Sequence, residues 1–213
     1  MLHLIIANKL YSSWSLRPWM LMTALGIPFQ ETVIPMYQSD TRARMLGFGP
    51  TGKVPVLVHG DVTVWESLAI IEYLAENFPD KAVWPRDAGS RAHARSLASE
   101  MHAGFQGLRS SCPMNLTKRF KTPAMSEAIT ADVSRLEAMW TGAREQSGGP
   151  FLFGAYSAAD AMFAPVVTRL DTYQIPVSTG TRAYIDAVLR HPAFLAGFLA
   201  AHASPACQVL LVD

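Results

Sequence analysis

Cysteine is scarce in this chain: Cys112 and Cys207 are its only two in 213 residues, and they form no C-x-x-C pair. That excludes a disulfide framework and a cysteine-rich metal cluster, and it fits a reducing, cytoplasmic location. The six histidines, His3, His59, His93, His102, His191 and His202, contain no H-E-x-x-H and have no cysteine partners at ligand spacing, so no metal site is expected. Charge is also sparse, at 16% of residues with a formal net of +1, which gives no electrostatic basis for binding nucleic acid or an anionic membrane. No apolar run approaches the ~20 residues of a membrane span. The opening Met1–Ala7 lacks a basic segment ahead of it and reads as a strand rather than a leader. There is no G-x-S-x-G, which removes the nucleophile elbow of a serine hydrolase.

Apolar residues, in contrast, make up half of the chain. That is enough for a sizeable core with apolar surface left over, and a homodimer is the natural expectation. Residues 2–7 read as a buried strand. Ser15 is placed to cap a helix with Leu16, Trp19, Met20, Met22 and Leu25 on its apolar face, with Pro18 in the first turn and Gly26 at the end. A strand at 29–35, a helical connection at 38–46, strands at 55–59 and 62–65 joined by Gly60-Asp61, and a helix at 67–78 complete a β-α-β-α-β-β-α order. That order predicts a thioredoxin-like α/β domain over 1–79. A Pro- and Gly-bearing surface linker follows. Beyond residue 89 only helical periodicity remains, at about 90–110, 123–146, 157–174, 180–190 and 192–202, so residues 89–213 are expected to form an all-α domain.

The densest local signal is Lys53-Val54-Pro55-Val56-Leu57. A Val-Pro bond leading into an apolar strand is a candidate for a cis peptide, and it leaves the amide and carbonyl of Val54 able to pair with an extended ligand. Gly47 to Lys53 also reads as G-x-x-x-x-G-K. However, Val54 stands where a phosphate loop needs Ser or Thr, and Pro55 disfavours the helix that must follow. Glu66-Ser67 closes a strand and opens a helix, with Ser67 as the expected N-cap, where free amides attract a carboxylate.

Tyr11-Ser12-Ser13-Trp14-Ser15 crowds four hydroxyls at the start of the first helix, where capping needs only one. His102, near Glu100, is read as a surface or satisfied histidine in preference to one facing a cleft. Cys112 is read as a buried thiol. Ser157-Ala158-Ala159-Asp160 forms a capping box with Asp160 in the usual Glu position and Tyr156 as the hydrophobic staple, a folding signal rather than a catalytic one.

In this order, Val54-Pro55, Glu66-Ser67 and the Ser157–Asp160 box resemble the cytosolic glutathione S-transferases over nearly the whole chain. The Ser12-Ser13-Trp14-Ser15-Leu16-Arg17 stretch is similar to the S-S-C-S-W-R start of the zeta class, whose members include maleylacetoacetate isomerase. Trp14 stands at that class's cysteine, a departure that counts against zeta-type isomerisation and against thiol chemistry by the protein itself.

The resemblance implies glutathione as co-substrate, with Val54 pairing through its backbone to the cysteinyl unit. Glu66 and Ser67 would hold the γ-glutamyl end, Lys53 a glycyl carboxylate, and Gln106 would make a further contact. Ser12, or alternatively Ser13, would bond the sulfur. It implies a serine-type transferase acting on small hydrophobic electrophiles walled by Trp14 and the 100–116 region. A glutathione-dependent isomerase and a non-catalytic glutathione carrier are the alternatives.

Overall fold

The computed structural model describes residues 1–203, and Cys207 lies outside the described residues. Strand β1 (Leu2–Ile6) leads through a tight loop into helix α1 (Ser13–Ala24), and then come β2 (Phe29–Val33), α2 (Thr41–Leu46), β3 (Val56–His59), β4 (Val62–Trp65) and α3 (Ser67–Asn77). The strands form one sheet in the order β2-β1-β3-β4. β1 pairs parallel with β2, Leu4 opposite Glu31, and antiparallel with β3, Leu4 opposite Leu57. The β3–β4 hairpin supplies the antiparallel edge. This is the thioredoxin-like mixed sheet expected from the order of elements.

The alternation of β1 explains its uninterrupted apolar sequence. Leu2, Leu4 and Ile6 face the main core with α1 and α3, while Ile5 and Ala7 face a smaller cluster with Ile34, Met45 and Val56 under α2. A strand covered on both faces has no polar side to display.

The rest of the described chain is helical: α4 (Ala88–Ala103), α5 (Gln106–Ser111), α6 (Glu127–Ser147), α7 (Ala158–Thr172), α8 (Thr179–Leu189) and α9 (Pro192–Ala203). Helix α7 is buried along nearly its full length and packs on α1, α4 and α8, which joins the sheet to the helices. Its start is the predicted capping box. Asp160, fully buried, accepts from Leu152 N–H at 3.0 Å, from Ser157 N–H at 2.9 Å and from the Tyr184 hydroxyl at 3.1 Å. No described helix is long and apolar enough to cross a membrane.

Three expectations are corrected. The helix read as 90–110 is two helices, because Gly104 runs extended and Phe105 takes φ +61° between them. A Cβ on Gly104 would lie 2.9 Å from the Glu100 carbonyl oxygen, so only glycine fits this break. Helix α1 begins at Ser13, earlier than a Ser15 cap implies, which puts Pro18 in its second turn. Helix α3 has Glu66 in the N-cap position and Ser67 as its first helical residue, so Ser67 is not the cap.

Candidate functional site

One cleft of about 270 Å³ is lined by Trp14, Thr51, Lys53, Val54, Pro55, Glu66 and His102, drawn from the first turn of α1, the loop before β3, the end of β4 and the end of α4. The Val54–Pro55 bond is cis, as the sequence predicts. Val54 stands just before the β1–β3 ladder, and neither its N–H nor its C=O makes a hydrogen bond among the described residues. An unpaired strand-end backbone facing a cleft suits an extended peptide-like ligand. Lys53 does not run into a helix, so the phosphate-loop pattern has no structural counterpart here.

Glu66 holds φ +71° and ψ 131°, a conformation costing a non-glycine residue about 1–3 kcal/mol. It throws the chain from β4 into α3 so that the α3 start meets the cleft. Ile70 N–H makes the first bond to the Glu66 carbonyl at 3.0 Å, so the amides of Ser67, Leu68 and Ala69 have no acceptor among the described residues. Ser67, next in the chain, is fully buried, and its hydroxyl has no partner among the described residues. Free amides, an orphaned hydroxyl and a positive helix end together suit a carboxylate.

The serine cluster sits at the start of α1. Asn8 shapes the loop, its carbonyl accepting from Ser12 N–H at 2.8 Å and its side chain from Leu10 N–H at 2.8 Å. The buried Lys9 pairs with Glu31 on β2 at 2.5 Å, and Trp19 donates to the same carboxylate. Ser12 occupies the N-cap position without a side-chain cap bond, its hydroxyl 2.8 Å from that of Ser15. Ser13 is the first helical residue, and its carbonyl accepts from Arg17. Neither Ser12 nor Ser13 lines the cleft, although Trp14 beside them does.

Behind Trp14 lies a group of arginines. Arg17, with no exposed surface, stacks 4.1 Å from the Trp14 ring, and Arg109 stacks 4.8 Å from it. Among the described residues Arg17 donates only to neutral acceptors: the Met162 and Ser13 carbonyls and the Met101 sulfur. Buried Arg169 donates to the Cys112 and Pro165 carbonyls. Desolvation pushes the Arg17 guanidinium well below its ordinary value, with Arg169 and Arg109 adding to the effect. Arg169 falls to about 10, first by burial and then through Arg109. None of the three pairs with a carboxylate among the described residues. The wall behind Trp14 is therefore electropositive and uncompensated, an environment that favours an anion.

Residues 11–77 match the family described as "Glutathione S-transferase, N-terminal domain". A Caenorhabditis elegans relative named "Probable maleylacetoacetate isomerase" is 25% identical over 202 residues, covering 91% of this chain and 92% of the relative. Glutathione S-transferase 1 of Dianthus caryophyllus is 35% identical over 112 residues, covering 50% and 51%. A glutathione transferase homologue from Burkholderia, whose crystal structure holds bound glutathione, superposes with a TM-score of 0.70 at 23% identity, covering 94% and 97%. Residues 11–77 are thus similar to a glutathione S-transferase N-terminal domain, and the fold around them is that of the solved glutathione transferases.

Within the matched domain the cleft brings together Lys53, Val54 and Glu66, and the fully buried Ser67 follows Glu66 in the chain. Gln106 opens α5, is exposed, and does not line the cleft. Cys112 is fully buried, and desolvation pushes its thiol up, as expected of a packing cysteine.

The reading of His102 as a surface histidine is overturned. It lines the cleft, its ring 5.0 Å from Trp14 and its Nε2 3.9 Å from Glu66, while its Nδ1 is buried with no partner among the described residues. The arginine group was also missed. Its members are spread over α1, α5 and α7, and only Arg17 stands inside a recognised motif.

Proposed function

We propose that this protein is a glutathione transferase that binds glutathione in the Val54–Glu66 cleft, holds its thiol as thiolate, and conjugates it to small hydrophobic electrophiles. The observation that carries this reading is the unpaired Val54 backbone sharing one cleft with the uncapped start of α3. Glutathione is an extended peptide with a carboxylate at each end, and the cleft offers a strand edge for its middle. The Ser67–Ala69 amides and the Ser67 hydroxyl would take the γ-glutamyl carboxylate with Glu66 beside them. Lys53 would take the glycyl carboxylate and Gln106 a peripheral contact. Residues 1–79 would act as the glutathione domain and residues 89–213 as the domain that walls the electrophile.

In this reading Ser12 donates a hydrogen bond to the sulfur, with Ser13 the alternative donor. A free thiol of pKa ~8.5 is only about 3% ionised at pH 7. A lowering by about two units, roughly 2.7 kcal/mol, makes thiolate the majority form. The hydroxyl, the positive end of α1 and the arginine wall all act in that direction. The thiol proton passes to solvent, the thiolate sulfur forms a bond to the electrophilic carbon, and the leaving group departs with its electron pair. The nucleophile belongs to glutathione, so Trp14 in place of a cysteine removes nothing the reaction needs.

The full-length likeness to an isomerase-named relative supports a second reading. In it the thiolate adds to a double bond, the adduct rotates, and elimination returns the thiol with the substrate's geometry changed. Incubation with glutathione and a chloronitrobenzene, alongside maleylacetoacetate, separates the cases. Conjugate formation above the uncatalysed rate supports the first reading, and isomerised product with no net loss of thiol supports the second. Glutathione binding with neither product would replace both with a carrier role.

A further inference from the structure

Ser15 lies in the first turn of α1 with no exposed surface, and its hydroxyl oxygen accepts from the Ala7 N–H at the end of β1, at 3.0 Å. The same oxygen is 2.8 Å from the Ser12 hydroxyl. Each hydroxyl carries one proton, and its hydrogen turns to whichever acceptor is available. For the Ser15 proton the described residues offer one acceptor, the Ser12 oxygen. Were Ser12 to donate to Ser15 instead, the Ser15 proton would be left buried and unpaired among the described residues, which is unfavourable. The half-buried Ser12 has no such constraint. Satisfaction of the pair therefore orders it as Ala7 N–H to Ser15, then Ser15 O–H to Ser12, which leaves the Ser12 proton free to point away from the protein.

We propose that Ser15 is a positioning residue that orients and polarises the Ser12 hydroxyl toward the glutathione sulfur. This rests on the reading of Ser12 as the sulfur's donor. A hydroxyl that accepts a hydrogen bond becomes a stronger donor, so the Ala7–Ser15–Ser12 chain strengthens the final bond to a thiolate. It also anchors that bond to the backbone of β1, the most deeply buried strand of the sheet. The arrangement accounts for two of the crowded hydroxyls in the Tyr11–Ser15 cluster, one as donor and one as its support.

The test is the pH dependence of thiolate absorbance in complexes saturated with glutathione, with the S-methylglutathione complex as the blank for each variant. Ser15→Ala is expected to raise the bound thiol's pKa by about one unit. It should leave S-methylglutathione affinity within about twofold of wild type, because that ligand has no thiol to ionise. Ser12→Ala should raise the pKa by at least as much, and Ser12→Ala/Ser15→Ala no further than Ser12→Ala alone, as members of one chain are not additive.

Ser15→Ala also strips the Ala7 N–H of its acceptor. If that variant does not fold, Ser15→Cys keeps a weak sulfur acceptor there while donating poorly, and should give the same shift. A Ser15 variant with the wild-type thiol pKa beside a shifted Ser12→Ala would overturn the role of Ser15 and leave the serine reading intact. An unshifted Ser12→Ala would overturn the serine reading and the role of Ser15 with it. Equal weakening of glutathione and S-methylglutathione with no pKa shift would mean that Ser15 only holds the fold.

Discussion

Ser67 carries a cost in the free protein that ligand binding would remove, since its hydroxyl is fully buried with no partner among the described residues. Ser67→Ala is therefore expected to raise the stability of the ligand-free protein by about 1–3 kcal/mol while weakening glutathione binding. Denaturant melts and calorimetric titration of the one variant measure both; a stability loss with unchanged affinity would contradict the assignment. Glu66→Ala should weaken binding too. Ser12→Ala is expected to lower turnover about ten- to a hundredfold through loss of one charge-assisted hydrogen bond worth about 1.5–3 kcal/mol, with glutathione affinity little changed. Tyr11→Phe should leave turnover within about twofold, since its hydroxyl makes only a 3.4 Å contact to Thr117. At this scale Val54, Glu66 and Ser67 were legible because each belongs to a local pattern of strand, proline or helix start. His102 was not legible. Nothing in the sequence around it fixes which face of α4 meets the cleft, and that depends on how α4 packs against α3 and α7.

Among the elements, the α7 start carries the clearest pH dependence. Desolvation raises the buried Asp160 carboxyl to about 6 despite the donors converging on it. Its unfolded value is ~3.9, so between pH ~4 and about 6 the native state keeps a proton that the unfolded chain releases. The stability from this group is full below pH ~4 and is lost as pH rises through about 6, a change of about 3 kcal/mol. In urea melts the stability of wild type relative to Asp160→Asn should thus be greater at pH 4.5 than at pH 7; an equal difference at both would show no shifted titration. The capping box itself was readable because its residues are consecutive. The α4–α5 break was not, because it depends on an aromatic residue adopting positive φ, which helical periodicity does not signal. The start of α1 was misjudged for a related reason: Ser15 is a helix-start residue type whose hydroxyl bonds to β1 instead of its own helix.

For the whole molecule, the alternation of elements in the first 78 residues gave the thioredoxin-like sheet, and the lack of any strand pattern beyond them gave the helical region. How the helices pack was not readable, since α7 is apolar on nearly every side and its periodicity picks out no single face. Strand β4 is a sheet edge that leaves Val62 and Trp65 exposed at 45% and 42%, which supports the proposed homodimer. Light scattering at micromolar concentration should give twice the 23.3 kDa chain mass, and a monomer would contradict the proposal. The central claim is that this protein ionises the glutathione thiol. Thiolate absorbance of the wild-type complex titrated against pH tests it most directly: the account predicts a midpoint about two units below the free thiol's ~8.5, and a midpoint equal to that of the free thiol would contradict it.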